Sequence, residues 1–167
     1  MLVRPAALEK AGGIAAIRQE IIDDCALARA IKLNGGHVWL GLAPDTVSTR
    51  VYATFGDVER MISRTAFKQL RHSAFILFGS LLGLAVTYLV PWVLILSGHV
   101  MLAAVGVVCW LLMTIAYAPM VRYYGRGPQW ALTLPASASF YMFATLHSAI
   151  KYWSGRGGEW KGRAQDR

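Results

Sequence analysis

Between Ser73 and Ile150 the chain carries no aspartate and no glutamate, and its only Lys or Arg residues are Arg122 and Arg126. No other feature limits the fold so strongly, because a stretch this long without acids has the composition of a membrane segment. It divides into three apolar parts. Residues 74–96 hold "AFILFGSLLGLAVTYLV", then Pro91 and "WVLIL". Residues 100–120 read "VMLAAVGVVCWLLMTIAYAPM". Residues 130–150, "WALTLPASASFYMFATLHSAI", are weaker and interrupted by Pro135. Each is near the roughly 20 residues that carry a helix across a bilayer. About three transmembrane helices are therefore expected, the third kinked at its proline. Gly79 and Gly83 form a small-xxx-small pair suited to close helix packing, and tyrosines and tryptophans gather near the segment ends.

The cations supply an orientation. Seventeen Lys and Arg against nine acids give a formal charge of +8. Arg60, Arg64, Lys68 and Arg71 precede the first apolar segment, and Arg122 and Arg126 follow the second. By the positive-inside rule, residues 1–72 and the 121–129 loop face the cytoplasm in a multi-pass arrangement. The basic tail, 151–167, conflicts with three full crossings, which would place it outside; a re-entrant third segment would remove the conflict. With its cations beside apolar segments, the chain is not expected to bind nucleic acid. Cys25 and Cys109 are too dissimilar in setting to suggest a disulfide, no Cys or His spacing suggests a metal site, and residues 1–10 lack the apolar core of a signal peptide.

Residues 1–56 alternate between helical and extended patterns. Pro5 opens a short helix closed by Gly12-Gly13, and a second helix spans residues 22–33, stopping at Asn34-Gly35-Gly36. "HVWLGL" (37–42) and "TVSTRVYAT" (46–54) alternate as strands do. Asp57 is the expected N-cap of an amphipathic helix over 57–72, with its basic stripe in the headgroup plane. Two strands and two short helices leave sheet edges unpaired, so the chain looks cut at its start. Asp23-Asp24 stand at the beginning of the second helix, where acidic first turns are common.

"ALEKAGGI", "IDDCALARAIKLNGGHVWLGL" and a basic "RTAFKQLRHS" leading into apolar segments together resemble the C-terminal portion of membrane-bound family-2 glycosyltransferases. The ending "GRGGEWKGR" is most similar to the hopene-associated (hopanoid) members. The resemblance implies a partial α/β, GT-A-like cytoplasmic remnant over 1–56, an interfacial helix over 57–72, a transmembrane region over 73–150, and a place in the bacterial inner membrane. It implies that Asp24 is the catalytic base, with Asp23 replacing the more usual glutamate beside it. It also matches Lys68, Gln69, Arg71 and His72 to a motif near the donor diphosphate, with Arg71 strictly retained and His72 replacing an aromatic residue.

The intact family domain would use a divalent metal, Mg or Mn, held by an Asp-x-Asp motif in a donor-binding half. This sequence has no such motif, so no metal or other cofactor is expected on the chain itself. A nucleotide sugar is then expected only with that half present, either joined to this segment or supplied by a partner chain. The expected function is acceptor-side and anchoring: inverting transfer of a sugar to a membrane lipid, with a hopanoid-related acceptor implied by the resemblance. The alternative is a non-catalytic small integral membrane protein.

Overall fold

A computed structural model describes residues 1–167 apart from positions 19, 21, 44, 45, 47, 48, 50, 158, 161, 162 and 165–167. Two compact units divide the chain, Met1–Asp45 and Thr46–Arg167. In the first, Pro5 begins α1 (Pro5–Lys10), its fixed φ already suited to a first turn. Gly12 and Gly13 end it with φ of 88° and 70°, and the Gly13 N–H closes on the Leu8 carbonyl at 2.9 Å. A 3-10 turn over Ile14–Ile17 precedes α2 (Asp23–Leu33). Ala11, Leu27 and Ile31 form the core of this unit, closed by Val3, Leu8, Ile17 and Ala30.

The second unit opens with α3 (Phe55–Gln69), which packs along α7 (Leu134–Trp153). Ser73 caps α4 (Ala74–Tyr88), and Leu89 separates it from the short α5 (Val90–Ile95). Then comes α6 (Val100–Tyr123). Gly106 lets α5 press against α6, since a Cβ there would lie 2.9 Å from Ile95 Cγ1 and 3.0 Å from the Ile95 nitrogen. Across the same contact Trp92 and Trp110 meet at 5.0 Å, and Trp110 Nε1 donates to the Leu132 carbonyl at 3.3 Å. A 3-10 turn over Pro128–Thr133 leads into α7. Phe67, Leu77 and Ala149 form the buried core between α3, α4 and α7.

The α/β expectation is overturned. Among the described residues the only ladder is the short antiparallel pair of β1 (Glu159–Trp160) and β2 (Arg163–Ala164), in the tail. Residues 37–43 are irregular, and Trp39 and Leu40 stand 85% and 96% exposed. A period-two pattern does not make a strand without a neighbour to receive its N–H and C=O groups. Positions 47, 48 and 50 of the second expected strand lie outside the described residues, and 46, 49 and 51–53 form none.

The count of about three spans is also overturned. Among the described residues only α6, at 24 residues, is long and apolar enough to cross a membrane. Segment 74–96 is divided at Leu89, ahead of Pro91, and the 15 residues of α4 reach only about 22 Å of a roughly 30 Å hydrocarbon core. Segment 130–150 becomes a 3-10 turn and α7, whose small and polar side chains Ala138, Ala144, Thr145, Ser148 and Ala149 are buried inside the protein. Pro135 sits in the first turn of α7, where it needs no hydrogen-bond partner, and so does not kink a span. Lys151 reaches α3 (Lys151 Nζ to Ser63 Oγ, 2.9 Å), so the start of the basic tail lies beside that helix rather than a full crossing away.

At the start of α3 the N-cap is Thr54 rather than Asp57. Thr54 Oγ1 accepts from the Asp57 N–H at 3.2 Å, and Asp57 Oδ2 accepts from the Thr54 N–H at 3.0 Å. This reciprocal box satisfies two amides that a helix start would otherwise leave open.

Candidate functional site

Asp23 and Asp24 are the first two residues of α2, and both are exposed. Ile22 precedes them and offers no side-chain cap. The carboxylates take over that work. Asp23 Oδ1 accepts from the Asp24 N–H at 3.0 Å, and Asp24 Oδ1 accepts from the Cys25 N–H at 2.8 Å. Negative charge is favoured here by the helix dipole. Burial pushes the Cys25 thiol above its ordinary pKa, and the adjoining Asp24 carboxylate adds to the rise through its charge and a hydrogen bond. Asp24 thus presents an exposed carboxyl group at the start of a helix.

The other expected residues cluster at the end of α3, within the second unit. Gln69 and Arg71 are exposed, whereas Lys68 and His72 are half-buried. Helix α3 stops at Gln69, and Arg71 and His72 turn the chain with φ of 56° and 54°. The Arg71 N–H donates to the Lys68 carbonyl at 2.8 Å and the His72 N–H to that of Phe67 at 3.1 Å. The His72 imidazole stacks on Tyr152 with centroids 4.1 Å apart and planes at 11°. Phe67 meets the same imidazole edge-on at 5.5 Å. His72 is thus part of an aromatic cluster, while Arg71 projects to the surface. Asp23 and Asp24 belong to one compact unit, and Lys68, Gln69, Arg71 and His72 to the other.

Earlier along α3, the stripe of cations is less uniform than its spacing suggests. Arg60 is tied to Asp57 at 2.6 Å. The Thr54 hydroxyl, then the Arg60 guanidinium, hold the Asp57 carboxyl below its usual range.

A polar cluster between α3 and α7 has no counterpart in the residues singled out from sequence. Glu59 Oε1 lies 2.7 Å from His147 Nδ1 and 3.5 Å from Lys151 Nζ. Burial opposes ionisation of Glu59, but hydrogen bonds from Ser63 and His147 and the Lys151 charge outweigh it and keep its pKa low. The partners are 88 residues apart, a separation no local pattern reports. A partial signal exists in α7, where His147, Ser148 and Lys151 interrupt the apolar sequence within one turn of each other.

Among the described residues, no group of three or more His, Cys, Asp or Glu side chains could hold a metal ion. The adjacent Asp23 and Asp24 gain no third donor, so these residues do not fit the divalent metal implied for the intact domain.

Comparison with known proteins gives the class of this chain, a glycosyltransferase. It belongs to glycosyl transferase family 21, whose profile matches residues 1–165. The sequence resemblance to family 2 therefore holds at the level of glycosyl transfer. No curated protein and no solved structure matches the chain.

Proposed function

We propose that this chain is the acceptor-side part of an inverting glycosyltransferase that moves a sugar from a nucleotide donor to a membrane lipid. The observation that carries the lipid reading is α6. It is long enough to span a bilayer, only 6% of its most apolar window is buried inside the protein, and it shares a compact unit with the cationic end of α3. An apolar helix so exposed matches hydrocarbon as its surroundings, which would bring the cations to the headgroup surface. A hopanoid-related acceptor is favoured by the "GRGGEWKGR" ending. The nucleotide sugar would be held by a donor-binding half, on the same polypeptide or on a partner chain.

In this reading Asp24 takes the proton of the acceptor hydroxyl as its oxygen attacks the anomeric carbon. The bond to the nucleoside diphosphate breaks, and its electron pair leaves with the diphosphate. The resemblance of this window to the family's diphosphate motif supports Lys68, Gln69 and Arg71 as the groups that would meet the leaving phosphates, with charge-assisted hydrogen bonds from Arg71 the strongest.

The test is Asp24→Asn in the full-length enzyme. Turnover should fall by about 10²–10⁴-fold with donor affinity retained, the usual range for loss of a general base. Asp23→Asn should be milder. Equal and small losses for both would leave the pair as a helix start only, and would favour the non-catalytic membrane protein.

A further inference from the structure

The turn that follows α3 is conformationally costly in a way its sequence does not require. Arg71 and His72 both adopt φ near 55°, as two consecutive non-glycine residues in the left-handed region. Such residues persist only where surrounding contacts hold them, and they concentrate at functional sites. Backbone bonds to Lys68 and Phe67 close the turn from α3, and further contacts come from α7 and the segment behind it. Tyr152 stacks flat on His72 at 4.1 Å. Phe67, 1% exposed, packs edge-on against Tyr152 at 5.4 Å, and its N–H donates to Ser148 Oγ at 3.0 Å. Behind Tyr152 the chain folds back so closely that a Cβ on buried Gly157 would lie 3.0 Å from Tyr152 Cδ2 and 3.2 Å from its Cα.

Arg71 is the one member of this arrangement that faces outward. It is exposed, and no side-chain hydrogen bond or ion pair holds its guanidinium among the described residues. The packing therefore fixes the backbone that carries Arg71 while leaving its side chain available.

We propose that Tyr152 is a positioning residue for Arg71: its ring, stacked on His72 and backed by Gly157, holds the left-handed turn that aims the guanidinium at the leaving diphosphate. This rests on the diphosphate role proposed for Arg71. Tyr152 itself touches no reacting atom. Its phenyl face, rather than its hydroxyl, does the holding, so phenylalanine should replace it and leucine should not.

The experiment is a double-mutant cycle on kcat and donor KM in the full-length enzyme, using Arg71→Ala and Tyr152→Leu singly and together, with Tyr152→Phe as the conservative variant. Arg71→Ala should lower kcat by about 10²-fold, as loss of one transition-state donor does. Tyr152→Leu should lower kcat by about 2–10-fold, the scale of one aromatic pair, with KM little changed. Tyr152→Phe should restore the parent rate, and Tyr152→Leu should cause no further loss in the Arg71→Ala background. The same fractional loss in both backgrounds, or no loss in the parent, overturns the positioning role. If Arg71→Ala matches the parent enzyme, the diphosphate reading fails and the positioning role with it. Should Tyr152→Leu fail to fold, Gly157→Ala, which displaces the ring from behind, takes its place in the same cycle and is read by the same criteria.

Discussion

His147 Nδ1 lies 2.7 Å from Glu59 Oε1, joining α7 to α3 across 88 residues of sequence. Lys151, one turn further along α7, adds a cationic partner at 3.5 Å and donates to Ser63 at 2.9 Å. The Glu59 side chain is 13% exposed, so its charge is compensated mainly by protein groups rather than by water.

This gives the interhelical contact a defined pH dependence. Because the folded state holds the Glu59 pKa below its ordinary 4.5, the pair stabilises the protein above that pH and loses its contribution as pH falls through the lower, folded value. Glu59→Gln should therefore weaken unfolding stability at neutral pH by about 1.5–3 kcal/mol, the range for hydrogen bonds to a charged group. Its stability should then fall less steeply with acid than that of the parent. Detergent-solubilised protein followed by circular dichroism between pH 3 and 7 measures this. Parallel acid limbs for the two proteins would remove Glu59 from the account.

Helices α6 and α7 should respond differently to a new charge. Leu112→Arg places a cation on the exposed side of α6 (Leu112 is 61% exposed), where insertion costs about 2.5–3.5 kcal/mol at a span centre. The variant should be lost from carbonate-washed membranes. Leu146→Arg, at a 42% exposed position of α7, should be retained like the parent. Equal loss of both variants would restore α7 as a span.

Cys25 reports on Asp24 without any need for turnover. With its thiol raised above the ordinary 9.0, Cys25 should alkylate slowly at pH 8 because little thiolate is present. In a Cys109→Ser background, Asp24→Asn should move the pH–rate profile of iodoacetamide labelling downward, leaving only the effect of burial. An unchanged profile would mean that the Asp24 carboxylate does not lie against the thiol.

Much of the helical layout was legible because its signals are local. Pro5, Gly12-Gly13 and Asn34-Gly35-Gly36 bound α1 and α2 where the sequence places them, and α6 follows directly from an uninterrupted apolar run. The start of α3 was also readable, since Thr54 and Asp57 stand three apart in the spacing of a capping box, yet Asp57 alone attracted the assignment. The strands failed for a different reason. Alternation at 37–42 describes the two faces of an extended segment and carries no information about a partner. The third span failed because hydropathy does not distinguish lipid from protein as the surroundings of a helix. Ala138, Ala144 and Ala149 are buried within the protein and α7 packs along α3, neither of which a hydropathy profile reports. At the candidate site the chemistry-bearing residue types were visible, whereas the paired left-handed turn at Arg71 and His72, and the aromatic ring that holds it, depend on contacts from about eighty residues away.

Helices α6 and α7 consequently face opposite kinds of mutational constraint. In α7, Ala144 and Ala149 are fully buried, so each position is limited by volume: an added methylene has nowhere to go, while loss of polarity is no concern. Along α6, where Met101, Leu112 and Ile115 are 82%, 61% and 66% exposed, the lipid surroundings proposed above would leave size nearly free and make polarity what counts. Saturation mutagenesis scored by membrane-fraction abundance would separate the two helices without any structure. One would tolerate interchange of Leu, Ile, Val, Phe and Met at nearly every turn. The other would accept Gly or Ser for Ala on its α3-facing side and reject Leu, although both helices look apolar to a hydropathy plot.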